Sequence, residues 1–332
     1  MRRLLFTLLP ALLAACAPAG LPAEAYGNIA EPAPFHLPPA VSVDPPRDPA
    51  SPARNRQLVI PSGPVRAELG RPAEMNALFL LAAGEGPHPT LLLLHGLPGN
   101  ERNLDLAQAV RRAGWNVLAF TYRGAWGSEG TFSIRHAIED ARTALALLRS
   151  PAAVRDYRVD PNRIVVAGHS MGGMAAALVA AGAPSEAGEQ APQVHFPPAG
   201  LILLDAWNAG ATARTVRAAG APGRAAFIAG LDDLGHALGP VTAADLADEL
   251  IRRGAAWDLL PLAPALAEIP VLTIYARSGL AEENRALAAA IRARRGAAVT
   301  DREFDSDHAF ADHRVTLAAE IVRWLEALPA AR

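Results

Sequence analysis

Residues 163–173 read RIVVAGHSMGG and constrain the fold more than any other stretch of the chain. Ile164, Val165 and Val166 form a β-branched run that suits a buried strand. Gly168, Ser170 and Gly172 follow at alternate positions, and the alanine-rich segment 174–181 reads as a helix. A strand, a sharp turn and a helix with G-x-S-x-G spacing put the serine on a strained backbone corner. Residues two before and two after it must then lack bulk, which is what glycine provides. Ser170 is therefore the candidate nucleophile. The competing reading is an ordinary glycine-rich turn, and the flanking strand and helix weigh against it.

Strand and helix patterns alternate along the rest of the chain. Residues 57–60 and 76–82 read as an antiparallel edge. Further strands are expected at 90–94, 115–121, 200–204, 269–276 and 298–304, with helices at 103–113, 133–149, 282–295 and 313–328. Residues 206–267 carry helical patterns without a strand signal and read as a cap inserted after the sixth strand. The expected fold is α/β, a mostly parallel central sheet covered by helices on both faces. Ligand-handling groups in such a sheet gather at the C-terminal ends of the strands. His95, Arg123, Ser170, Asp205, Arg277 and His308 all fall at such ends or just beyond them.

From about residue 58 to 328 the chain resembles the α/β-hydrolases. The resemblance rests on HGLPGN at 95–100, YRGAWGS at 122–128, GHSMGG at 168–173 and SDHAF at 306–310, in that order. It is nearest to the esterase and prolyl-oligopeptidase-like groups. It implies a serine hydrolase acting on a small ester, or as the second choice an amide or peptide bond, through an acyl-enzyme on Ser170. His308 would be the general base, last in chain order; His313 is its rival but falls inside the helix pattern. The amides of Leu97 and Met171 would form the oxyanion hole, and His95 would brace that loop. Arg123 and Trp126 are candidates to line the pocket, with a structural role the stronger reading for Arg123. Trp207, Trp257, Leu259, Leu260 and Leu262 in the cap suggest a closed, partly apolar pocket. No organic cofactor and no metal is implied, and Asp232, Asp233 and His236 read as a solvated cap turn.

The acid departs from the family pattern. A carboxylate is expected just beyond the strand at 269–276, yet Gly279 stands there. Asp205, at the end of the preceding strand, is the first choice for the acid. Glu282 and Glu283 remain candidates, although they suit a helix first turn, and Asp305 and Asp307 lie close to His308 in sequence. The alternative function is a non-catalytic cell-envelope binding lipoprotein that kept the fold and lost the acid.

The net charge of −2 leaves no basic footprint for nucleic acid. The sole cysteine, Cys16, ends the tetrapeptide Leu13-Ala14-Ala15-Cys16 after a basic start and a short apolar run. This resembles a bacterial lipobox, with a signal peptide at 1–15 and a lipidated Cys16 tied to the membrane. Ala17 carries no inner-membrane retention signal, so the outer membrane is the expected destination. Residues 16–55, rich in Pro and Ala, read as a tether to the hydrolase domain at 56–332, and their sequence leaves open whether they pack on that domain.

Overall fold

The computed structural model describes residues 36–184, 197–231, 234 and 236–329. The expected signal peptide at 1–15, Cys16, Asp232 and Asp233 lie outside the described residues. Among the described residues eight strands form one sheet in the order β1-β2-β4-β3-β5-β6-β7-β8. They are β1 (Arg54–Arg66), β2 (Arg71–Leu81), β3 (His88–Leu94), β4 (Asn116–Phe120), β5 (Val159–His169), β6 (Gly200–Leu204), β7 (Val271–Ser278) and β8 (Val299–Asp307). β1 and β2 pair antiparallel, β2 pairs antiparallel with β4, and β4 through β8 run parallel.

Alternation along the inner strands divides the core between the two faces. Leu92, Leu94, Ile164 and Val166 face one layer, while Leu91, Leu93, Val165 and Ala167 face the other. The first layer is covered by α3 (Ile134–Leu148), α4 (Pro151–Tyr157), α5 (Met171–Ala180) and α9 (Ala281–Arg292). Every residue of α5 is buried, so its alanines and glycines let it pack on all sides. The second layer is covered by α2 (Leu104–Arg112) and α10 (Arg314–Ala327).

Residues 36–53 lie against the domain. The helical turn α1 (Pro39–Ser42) packs on α2 and α10, and Arg112 Nε donates to Ala40 O at 2.6 Å. Between β6 and β7 the described residues form helices and no strand: α6 (Ala209–Ala229, kinked at Gly220), α7 (Ala243–Arg253), two 3₁₀ turns and α8 (Ala263–Leu266). Thr242 and Asp245 close a capping box at the start of α7. Trp207, Trp257 and Leu259 of this cap are buried in the core, so they are packing residues more than pocket lining. Among the described residues no helix is long and apolar enough to cross a membrane.

Candidate active site

β5 delivers the chain to Ser170, which holds φ 55° and ψ −119°, a conformation that L-residues rarely adopt. Steric room decides which neighbours permit it. A Cβ on Gly168 would stand 2.1 Å from Gly172 O, and one on Gly172 would stand 2.4 Å from Leu94 O. The corner is pinned by main-chain bonds. Ser170 N donates to Leu204 O at 3.0 Å, and Ser170 O accepts from Trp207 N at 3.0 Å and Met174 N at 3.1 Å. The loop after β3 lies directly against it, because a Cβ on Gly96 would be 3.0 Å from Ser170 Cβ. Leu97 is the next residue of that loop. Met171 opens α5, where the first amides of a helix have no partner within it.

Asp205 directly follows β6, with φ 43°, and is completely buried. Its Oδ1 accepts from Ala276 N at 3.2 Å and Leu280 N at 3.0 Å. Its Oδ2 lies 2.6 Å from His308 Nδ1. With Nδ1–H donating to this carboxylate, His308 keeps the Nε2 lone pair free to take a proton. The other candidate acids face solvent or other partners. Glu282 is exposed, and Asp305 pairs with Arg277. Asp307 accepts from Ala309 N and Ala311 N. Glu283 accepts from Asn208 N at 3.0 Å; burial first, and then the neighbouring Asp205 charge, push its carboxyl up. His313 bonds Asp312 at 2.9 Å.

Two further histidines brace the site. His169 Nε2 donates to His308 O at 2.8 Å, and the two rings lie 4.7 Å apart. Burial, with His308 beside it, pulls the His169 imidazole down to about 3, so it stays neutral. His95 Nδ1 donates to Gly96 O at 2.8 Å, and Tyr122 OH donates to His95 O at 3.0 Å. Burial pulls His95 down to about 4. Sequence reasoning gave His95 this bracing role but gave His169 none. Its signal was its place inside G-x-S-x-G, where a side chain next to the serine must turn under the corner.

The sequence model of the alpha/beta hydrolase family matches residues 91–320, more than half of the chain. The chain belongs to the alpha/beta hydrolase family. Among curated relatives, an uncharacterized protein of Mycobacterium tuberculosis is 31% identical over 156 residues, 46% of this chain and 49% of that one. The chain thus matches about half the length of this relative. Among solved structures, the thermostable carboxylesterase EstE1 from a metagenomic library aligns with TM-score 0.53 at 20% identity, over 84% of this chain and 91% of that one. The acylaminoacyl peptidase of Pyrococcus horikoshii aligns with TM-score 0.56 at 15% identity, over 83% and 41%. These two likenesses are of fold.

In this alpha/beta hydrolase Arg123 does not line a pocket. It is buried, with Nε 2.5 Å from Asp140 Oδ1 and Nη2 2.9 Å from Glu139 Oε2. Gly63 leaves room for it, since a Cβ there would stand 2.2 Å from Nη1. Trp126 is 36% exposed and braces the loop after β3: its indole N–H donates to Pro98 O at 2.8 Å. The Arg102 guanidinium covers the ring at 4.7 Å. The cap docks on the loop after β4 that carries Trp126, with Trp126 N bonded to Ala237 O at 2.8 Å and Gly239 N to Gly124 O at 2.8 Å. Between them runs an open groove of about 390 Å³ that includes Trp126 and His236.

Proposed function

We propose that the chain is a serine hydrolase that cleaves a carboxylic ester, rather than an amide or peptide bond, through an acyl-enzyme on Ser170. Ser170 Oγ attacks the carbonyl carbon while His308 Nε2 takes its proton. Leu97 N–H and Met171 N–H donate to the oxyanion as it forms. Collapse expels the alcohol, which takes the proton from His308. Water, deprotonated by the same nitrogen, then attacks the acyl carbon and frees Ser170 and the acid. Asp205 keeps His308 in the tautomer this requires.

The observation that carries the reading is the 2.6 Å contact between Asp205 Oδ2 and His308 Nδ1. The reading of a binding lipoprotein without an acid rested on Gly279, and the contact of Asp205 with His308 speaks against it. The preference for esters draws on the carboxylesterase among the fold's neighbours. The lipobox resemblance supports a periplasmic, lipid-anchored protein held through Cys16, most simply on the outer membrane. The test is turnover of short p-nitrophenyl esters and matched anilides by a form starting after Cys16. Ester hydrolysis that disappears in Ser170→Ala and His308→Ala supports the proposal. Hydrolysis that survives Ser170→Ala contradicts it.

A further inference from the structure

We infer that Arg314 is a positioning residue that locks the His308 loop onto the loop leading into α2. The inference rests on the reading of His308 as the base. Arg314 opens α10, and its guanidinium hydrogen-bonds to three residues at once, with Glu101 Oε1 a further ion partner 3.8 Å from Nη2. Nη1 donates to Ala309 O at 2.9 Å, next to His308. Nη2 donates to Asn103 Oδ1 at 3.0 Å. Nε and Nη2 grip Asp105 Oδ2 and Oδ1 at 2.9 and 2.6 Å, a bidentate pairing of planar groups. Asn103 and Asp105 end the segment that begins with His95, Gly96 and Leu97, so one side chain joins the base loop to the loop beside Ser170.

Two details argue that this link is specific. Asn103 sits at the N-cap of α2 with φ 55°, but its side chain does not cap the helix. Its oxygen accepts from Arg314 instead, although asparagine is among the best capping residues. The bodies of α2 and α10 are already joined by buried Leu106, Val110, Leu317 and Ile321. Apolar packing therefore holds the two helices together, and Arg314 acts at the ends that face the site. His308 is then held at its own carbonyl by His169 and at the next carbonyl by Arg314. A loop freed at one of these points displaces the base, and misplacement by about 1 Å costs roughly 100-fold in rate.

The experiment compares the parent, Arg314→Gln, Arg314→Lys and Asp105→Asn by ester kinetics and by hydrogen exchange at residues 97–105 and 307–313. The expected result is a kcat lowered by about 10- to 100-fold in Arg314→Gln, with KM near the parent value. Exchange should accelerate in both loops together while the interiors of α2 and α10 keep their protection. Arg314→Lys, which keeps the charge but not the fork, should recover part of the loss, and Asp105→Asn should show a smaller version of it. Should Arg314→Gln fail to fold, Asp105→Asn tests the same link without touching α10. An unchanged kcat in an active parent, or acceleration confined to one loop, overturns the inference. If the parent hydrolyses no ester, the proposed function falls, and the exchange data still decide whether Arg314 couples the loops.

Discussion

A Cβ on Gly279 would stand 2.0 Å from Oδ2 of Asp205, so the carboxylate of one residue fills the space that a side chain on the other would need. The absent acid after β7 and the acid present after β6 are one feature. Asp205 reaches across from the neighbouring strand, and the amides of Ala276 and Leu280, on either side of the glycine, bind its carboxylate.

Gly279→Ala should therefore act on catalysis through Asp205. The methyl group displaces the carboxylate from His308, and we expect kcat for ester hydrolysis to fall at least about 100-fold, since loss of a correctly placed triad acid costs about 10⁴. Gly279 is not in the left-handed region, so its backbone accepts a side chain. The pair Asp205→Gly with Gly279→Asp moves the acid to the position usual in the family. It should recover activity over Asp205→Gly alone, and a double variant no better than the single one would count against this geometry.

Ser170 pays for its position in backbone strain. Replacing it with glycine, which accepts φ 55° freely, should abolish ester hydrolysis and raise unfolding stability by about 1 kcal/mol. Paired urea titrations of parent and Ser170→Gly measure it.

Much of this was legible from the chain because local rules coincided with global ones. The alternation of β-branched strands and alanine-rich helices placed the sheet, and G-x-S-x-G marked a corner whose glycines are required sterically at 2.1 and 2.4 Å. Boundaries shifted by a few residues. β1 runs from Arg54 to Arg66, well beyond the apolar core at 57–60, because an edge strand continues through exposed residues, with Gly63 and its two prolines tolerated there. The helix Pro151–Tyr157 escaped notice, being short and with one buried residue. The structural role favoured for Arg123 agrees with its buried pairing with Asp140 and Glu139; the cap tryptophans were harder, since burial among distant partners leaves no local pattern. The joint role of Arg314 and Asp105 depends on residues 209 apart, a distance no spacing rule spans.

His95 and His169 make the fold sensitive to acid. Each binds a proton near 6.5 when unfolded, but only at about 4 and about 3 in the native state. Between those values the unfolded chain binds more protons, so stability falls as pH falls. From pH 7 to pH 5 each histidine should remove about 2 kcal/mol. His169→Asn should flatten that part of the curve, which denaturant titration at the two pH values measures.

Trp126→Phe keeps an apolar ring but deletes the N–H that holds Pro98 O. The loop carrying Leu97 should loosen, with kcat reduced by about 3- to 10-fold for the loss of roughly 1 kcal/mol of positioning. Steady-state kinetics on one ester at saturation tests this, and unchanged kcat would assign Trp126 to cap docking alone.

The central claim is that Ser170 is an activated nucleophile. Labelling with a fluorophosphonate probe, followed by peptide mass mapping, tests it most directly. The parent should be labelled on Ser170 within minutes, Ser170→Ala not at all, and Asp205→Asn far more slowly than the parent. A folded parent that takes no label, or a label found on another residue, would contradict the claim.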